Sequence, residues 1–155
     1  MDIRQFRNTD TSHLIHLFRT TVHTVCRQDY DTRQLLAWAP TEIDAEKWTN
    51  RFTNSFTIVA HENEAILGFA NLENDGNVDM FYVHADWQSK GIGSLLFATL
   101  EDHAKKLKLN RLVSDVSITA RPFFLRRGFT VEREHVKQVR GAVFKNFVMF
   151  KFLSN

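Results

Sequence analysis

The hydrophobic period of this chain turns from helical to alternating close to residue 55, and that change restricts the fold more than any other feature. Upstream, Leu14, Leu17, Phe18, Thr21, Val22 and Val25 stand at i, i+3, i+4, i+7, i+8 and i+11, the inward stripe of an amphipathic helix packed on a core. Asp10 is placed to cap its start. Thr32–Ala39, stopped by Pro40, and Asp44–Phe52 read as two more helices. Ile3–Phe6, with weak alternation, suits a short first strand. Downstream the texture is that of strands: Phe56–His61 and Ala65–Leu72 around a polar turn at Glu62–Glu64, then Val78–Val83 after the hairpin signal Asp75-Gly76.

The remainder alternates between both periods. Leu96, Leu100, Ala104 and Leu107 carry a helical stripe through to Leu109. Arg111–Val116 is a predicted strand, and Ala120–Arg127 a short helix with Gly128 as its C-terminal cap. Phe129–Val139 and Ala142–Leu153 form a last pair of strands turning at Arg140-Gly141. This order implies an α+β domain with a mixed, mostly antiparallel central sheet flanked by helices. No repeat, low-complexity tract or linker interrupts it, so residues 1–155 are expected to form a single domain.

Bulk properties then exclude several function classes. Hydrophobic residues make up 43% and charged residues 25%, an ordinary globular balance, and the net charge of +2 gives no field favouring nucleic acid. Lys105, Lys106, Lys108 and Arg111 form a local basic patch, read as a solvated face complementing a helix end, with nucleic acid as the alternative. No stretch approaches the roughly 20 apolar residues of a membrane span, and Met1–Asp10 does not resemble a signal peptide. A cytoplasmic location is the expectation. The one cysteine, Cys26, beside an apolar stripe, is expected to be a buried or half-buried thiol rather than a nucleophile. The histidines, His13, His16, His23, His103 and His135 among them, lack zinc spacing, so no metal is expected.

The segment that carries chemistry is Gln88-Ser89-Lys90-Gly91-Ile92-Gly93-Ser94, between a strand and a helix start. Its glycines let the backbone turn tightly and approach a ligand. The first N–H groups of the helix have no internal partner, and with the helix dipole they suit a phosphate or pyrophosphate. Lys90 adds a positive charge. A dinucleotide fingerprint fails here, since Leu96 stands where a third glycine belongs, and a P-loop fails because Gly93-Ser94-Leu95 lacks the Gly-Lys-Ser/Thr ending.

The Gln-x-x-Gly-x-Gly segment, preceded by Phe81-Tyr82-Val83, resembles the acetyl-CoA motif of the Gcn5-related (GNAT) acetyltransferases. Ser117-Ile118-Thr119-Ala120-Arg121-Pro122-Phe123-Phe124-Leu125-Arg126-Arg127-Gly128-Phe129 resembles the family's second signature, Asn-x-x-Ala-x-x-Phe-Tyr-x-x-x-Gly-Phe. More closely, Tyr30, Trp38-Ala39, Val78-Asp79-Met80, Pro122-Phe123-Phe124, Arg140-Gly141 and Asn146-Phe147 look like the small bacterial YafP-type acyltransferases. The resemblance covers nearly the whole chain and implies an acyl-CoA N-acyltransferase-like fold that transfers acetyl from acetyl-CoA to an amine by direct attack.

Residue by residue, the resemblance implies that backbone groups of Phe81, Tyr82 and Val83 pair with the pantetheine arm as an added strand. It implies that the N–H groups of Gln88, Ser89, Lys90, Gly91, Ile92, Gly93 and Ser94 hold the pyrophosphate. Ser117 stands where the family often has Asn, and its hydroxyl can serve the pantetheine; Phe123 and Phe124 wall the thiol end. Two residues depart from the pattern. Phe124 replaces the frequent tyrosine acid and cannot donate a proton, and Ala85 replaces a common proline in the loop.

For the base, Asp79 is the first choice, a carboxylate inside the apolar run Val78–Val83 whose pKa burial would raise; a salt-bridged Asp at a strand start is the alternative. Glu73 is the runner-up, set in a polar turn. Tyr82 can replace the missing acid or simply pack with its hydroxyl satisfied. Asn146, on a predicted strand face with Phe144, Val148, Phe150 and Phe152, needs a hydrogen bond, expected from backbone or else from an acceptor substrate. Tyr30 and Trp38 are placed at the acceptor wall by the family, or in the core. Arg126 and Arg127 are surface residues or contacts of the CoA 3′-phosphate.

Beside catalysis, the Phe124 departure leaves open a catalytically impaired acyl-CoA-binding or sensor module. The expected partners are acetyl-CoA and an amine acceptor, a small molecule or a protein amine, with the chain a monomer or homodimer.

Overall fold

The computed structural model describes residues 1–154. Strand β1 (Asp2–Gln5) leads into α1 (Thr11–Val25), whose stripe of Leu14, Leu17, Phe18, Thr21 and Val22 is buried as its spacing requires. Asp10 precedes α1, but its side chain does not cap the helix. It instead takes both guanidinium nitrogens of Arg4 at 2.8 and 2.9 Å and the N–H of Arg7 at 2.8 Å. A charge pair across the β1–α1 corner has thus won over the expected cap. Helix α2 (Thr32–Trp38) begins with a reciprocal box between Asp31 and Gln34, and α3 (Ala45–Thr53) is capped by Asp44.

Strands β2 (Phe56–Glu62), β3 (Ala65–Leu72) and β4 (Val78–Val83) join β1 in a four-stranded antiparallel sheet ordered β1-β2-β3-β4. Helix α4 (Ile92–Lys106) then crosses to β5 (Arg111–Val116), followed by α5 (Arg121–Arg126), β6 (Thr130–Val139) and β7 (Ala142–Phe152). The last three strands form a second antiparallel sheet, β5-β7-β6. Arg140 and Gly141, with φ of 46° and 82°, make the left-handed turn expected of a two-residue hairpin.

The predicted single central sheet is therefore two sheets. They meet where β4 and β5 start: Asn77 bridges Val113 in parallel, Val113 N–H donates to Gly76 at 3.0 Å, and Ser114 Oγ donates to the Val78 carbonyl at 2.8 Å. Beyond these contacts the strands part, and residues of both line one cleft. Helix α4 also stops short of the predicted Leu109. It ends at Lys106, and the left-handed Lys108 (φ 61°) lets Leu109 N–H close back on the Ala104 carbonyl.

Two apolar layers cover the sheets. On one face α4 packs Leu96, Leu100 and Ala104 against Leu112, Phe129 and Met149. On the other, α1, α2 and α3 pack Phe18, Val22 and Phe52 against Phe69, Met80 and Phe144. Both layers draw on both sheets, which fixes the angle at which the sheets part.

Candidate active site

Where β4 and β5 separate, the structure holds a cleft of about 1050 Å³. One wall is β4. Its inner edge pairs with β3, and its outer edge at Phe81–Val83 has no strand neighbour. An extended ligand could add there by strand pairing. The Val83 carbonyl is already engaged, accepting from Gln88 Nε2 at 2.7 Å and Thr21 Oγ1 at 3.2 Å. Of the three expected backbone partners, that carbonyl is not free.

The cleft runs to the N-terminus of α4. Ser89 (φ 60°) and Gly91 (φ 86°) turn the chain so that Gly91 begins the helix, and Leu95 is the first residue whose N–H reaches back, to Gly91 at 3.1 Å. The N–H groups just before Leu95 have no acceptor one turn back. Gly93 has a separate reason: a Cβ there would lie 2.9 Å from the Phe123 ring. Arg127 lies over that ring, 4.9 Å from its centre, with an Nη bonded to Ser94 Oγ. Its buried Nε has no partner among the described residues. A helix start, an unsatisfied guanidinium N–H and a side-chain-free approach together fit an anionic phosphate group. Lys90 is exposed on the loop. Sequence alone left Arg127 as a surface residue or a contact of the CoA 3′-phosphate, because only the fold brings α5 beside α4.

Asp79 occupies a β-bulge. Asn71 pairs with Met80 and Leu72 with Val78, so Asp79 has no opposite residue. The fully buried Asn71 holds the bulge, accepting from Met80 N–H at 2.9 Å and donating to Asp79 Oδ2 at 2.9 Å. Arg51 of α3 grips the carboxylate through two bonds of 2.6 and 2.5 Å. Burial pushes the Asp79 pKa up, but the bonds from Arg51 and Asn71 and the charge of Arg51 outweigh it and hold the carboxyl below its ordinary value. The expected rise is thereby reversed. Sequence missed Arg51 because its partner is 28 residues away.

The wall facing the helices is aromatic. Tyr30, Trp38 and Phe144 pack edge to face or tilted, with centres 5.2 to 6.2 Å apart, and all three line the cleft. Trp38 Nε1 donates to the Tyr82 hydroxyl at 3.2 Å. Desolvation pushes the Tyr82 phenol well up. Tyr30 Oη accepts from the N–H of Ile118 at 2.9 Å, beside Ser117, whose Oγ accepts from Ala120 N–H at 3.1 Å. Cys26 is buried at the cleft edge, where desolvation pushes its thiol up to about 11. It is no activated nucleophile.

Asn146 does not bond to backbone as expected. Its Nδ2 donates to Asp115 Oδ1 at 3.2 Å, and the same carboxylate takes His135 Nε2 at 2.8 Å and Lys137 Nζ at 3.0 Å. Burial raises the Asp115 pKa, but these partners bring it below the ordinary value. Of the expected face, Phe144 and Asn146 are buried and line the cleft, whereas Phe152 is 70% exposed. Glu73 is an exposed turn residue whose N–H donates to Asn77 O. The fold thus gathers Asp79, Tyr82, Phe81, Val83, Gln88, Gly91, Gly93, Ser117, Phe123, Phe124, Tyr30, Trp38 and Asn146 around one cleft.

The acetyltransferase (GNAT) domain family matches residues 26–150, which is most of the chain. The chain belongs to the GNAT acetyltransferase family. This acetyltransferase is 32% identical over 149 residues to the N-acetyltransferase YafP of Escherichia coli, a match covering 96% of this chain and 94% of that one. Its structure resembles a GCN5-related N-acetyltransferase from Rhodopseudomonas palustris, with a TM-score of 0.94 at 28% identity over 98% of this chain and 95% of that one. The PaiA N-acetyltransferase of Thermoplasma acidophilum, solved with coenzyme A, shares the fold at a TM-score of 0.81 and 20% identity, with 98% of both chains covered. The family makes this chain an N-acetyltransferase. Among the described residues no helix is long and apolar enough to cross a membrane, and no group of three His, Cys, Asp or Glu side chains could hold a metal.

Proposed function

We propose that this GNAT acetyltransferase takes acetyl from acetyl-CoA and gives it to an amine that enters between α1, α2 and the β4–β5 cleft, the chain acting as one domain around that cleft. One observation carries the reading: a strand edge left unpaired at Phe81–Val83 leads directly to the phosphate-fitting start of α4. An extended arm ending in a pyrophosphate needs both features in that order. In this reading Arg127 and the N–H groups around Gly91–Ser94 bind the phosphates. Phe81 and the N–H of Val83 offer main-chain groups to the arm, and Phe123 and Phe124 exclude water from its thioester end. PaiA, solved with coenzyme A, shares the fold and supports this donor.

The acceptor must be neutral before its nitrogen attacks. Asp79, held below the ordinary carboxylate value near 3.9, is a weak base for an ammonium near 10.4, a gap of more than roughly 9 kcal/mol. At pH 8 the neutral amine itself costs about 3 kcal/mol whichever group carries the proton away, and a carboxylate this weak cannot keep that proton from bulk water. Asp79 therefore serves as a fixed anion that orients Arg51 and the acceptor, and bulk water takes the proton.

Calorimetric titration with acetyl-CoA and with CoA tests the donor, beside a Gly91→Asp/Gly93→Asp double variant that fills the phosphate approach with negative charge. Micromolar binding by the wild type and a loss of at least about 100-fold in the variant are expected. Thiol release in a screen of amine acceptors then reads turnover. Binding without any turnover would favour the sensor reading suggested by Phe124, and absence of binding would remove the acetyl-CoA proposal.

A further inference from the structure

We propose that Tyr30 delivers the proton to the departing sulfur, a task that Phe124 cannot perform; this rests on the acetyl-CoA reading above. The chain has two tyrosines, and both line the cleft. Tyr82 stands with its ring against Phe18 and Phe69, centres 5.0 and 5.7 Å away, and its hydroxyl takes the Trp38 N–H. That arrangement turns it toward α1 and α2. Tyr30 reaches the opposite way, to the turn between β5 and α5, where its oxygen accepts the Ile118 N–H.

Three features of this placement suit an acid. The turn that Tyr30 touches, Ser117–Ala120, leads directly into Phe123 and Phe124, which wall the end of the cleft where the thioester is expected. The bond from Ile118 uses a lone pair of the phenol and leaves its proton for a second partner, with the Ser117 hydroxyl as the side chain beside it. Burial pushes the phenol up, and the same N–H offsets part of that rise by favouring the phenolate that forms when the proton leaves. The residue is 6% exposed and wedged by Trp38 and Phe144, so the hydroxyl keeps one position.

The step balances. The lone pair of the neutral amine forms the C–N bond, the C–S pair moves onto sulfur, and the Tyr30 proton passes to it. The phenolate, held by Ile118, then takes the surplus proton of the new amide nitrogen, directly or through a cleft water. Tyrosine is regenerated, and amine plus thioester become amide plus thiol.

A test independent of turnover uses the two-tyrosine composition. Protein grown with 3-fluorotyrosine gives two ¹⁹F signals, assigned with Tyr30→Phe and Tyr82→Phe, and is titrated with CoA and with desulfo-CoA. The Tyr30 signal is expected to move with CoA and much less without the sulfur, while the Tyr82 signal treats both alike. In turnover, Tyr30→Phe should lower kcat about 100-fold or more with CoA affinity kept, and adding Phe124→Tyr should restore part of it. Equal response of the Tyr30 signal to both ligands, discrimination by Tyr82 instead, or an unchanged kcat in Tyr30→Phe each overturns the assignment. Absence of CoA binding by the wild type is a different failure, that of the donor reading itself.

Discussion

Asp79 illustrates how a residue's chemistry depends on partners that sequence does not display. A carboxylate in an apolar run suggests a raised pKa, yet Arg51 and Asn71 bring it below its ordinary value. The sign of the pH dependence follows. With its folded pKa depressed, Asp79 contributes stability that is fully present above the unfolded value, about 3.9. That stability is lost as pH falls through the folded pKa. The denaturation midpoint of the wild type should therefore drop on acidification, and the gap between it and Asp79→Asn should begin to narrow below about pH 5 and go on narrowing as pH falls through the depressed folded pKa. A gap independent of pH would mean that the Arg51 pair gives no net stability in solution, where Arg51 is 45% exposed. The bulge itself was equally hidden: one unpaired residue in a six-residue strand leaves no periodic mark.

Elements were more legible. Twelve helices and strands follow the periodicities of the sequence, because apolar spacing and turn residues act locally. The exceptions lie at their ends. Asp10 carries a capping residue's chemistry but is drawn to Arg4, and α4 yields its last apolar residue, Leu109, to a left-handed turn at Lys108. The start of α4 shows two glycines with different duties. Gly91 needs its positive φ and has nothing within 4 Å of a Cβ, whereas Gly93 needs space for Phe123. Gly93→Ala should thus displace Phe123 and weaken acetyl-CoA binding roughly 10-fold or more, with the helix intact by circular dichroism. Gly91→Ala should instead lower the denaturation midpoint, by an amount equivalent to about 1 kcal/mol.

At the scale of the molecule, the functional feature is where the two sheets stop touching. Ser114 Oγ donates to the Val78 carbonyl across the seam, and both residues are buried and line the cleft. Removing that hydroxyl in Ser114→Ala leaves a buried carbonyl without this donor, a loss of about 1–2 kcal/mol. A lower unfolding midpoint is expected together with weaker CoA binding by calorimetry. Retained binding at reduced stability would show that the cleft is set by α4 and α1 alone.

The sequence by itself determined the order of elements and the glycine turn between a strand and a helix start at Gln88–Ser94, since each arises from contiguous residues and their local geometry, whereas the wall at Phe123 and Phe124 was implied by the family resemblance alone. Only the tertiary structure decided that one expected sheet becomes two, that Arg51 neutralises Asp79, that Asp115 gathers His135, Lys137 and Asn146, and that Tyr30 reaches Ile118. Those pairings span 20 to 88 residues. Which of many possible partners meets a charge or a hydroxyl is settled when the apolar layers on both faces of the sheets close together, and no local pattern encodes that choice.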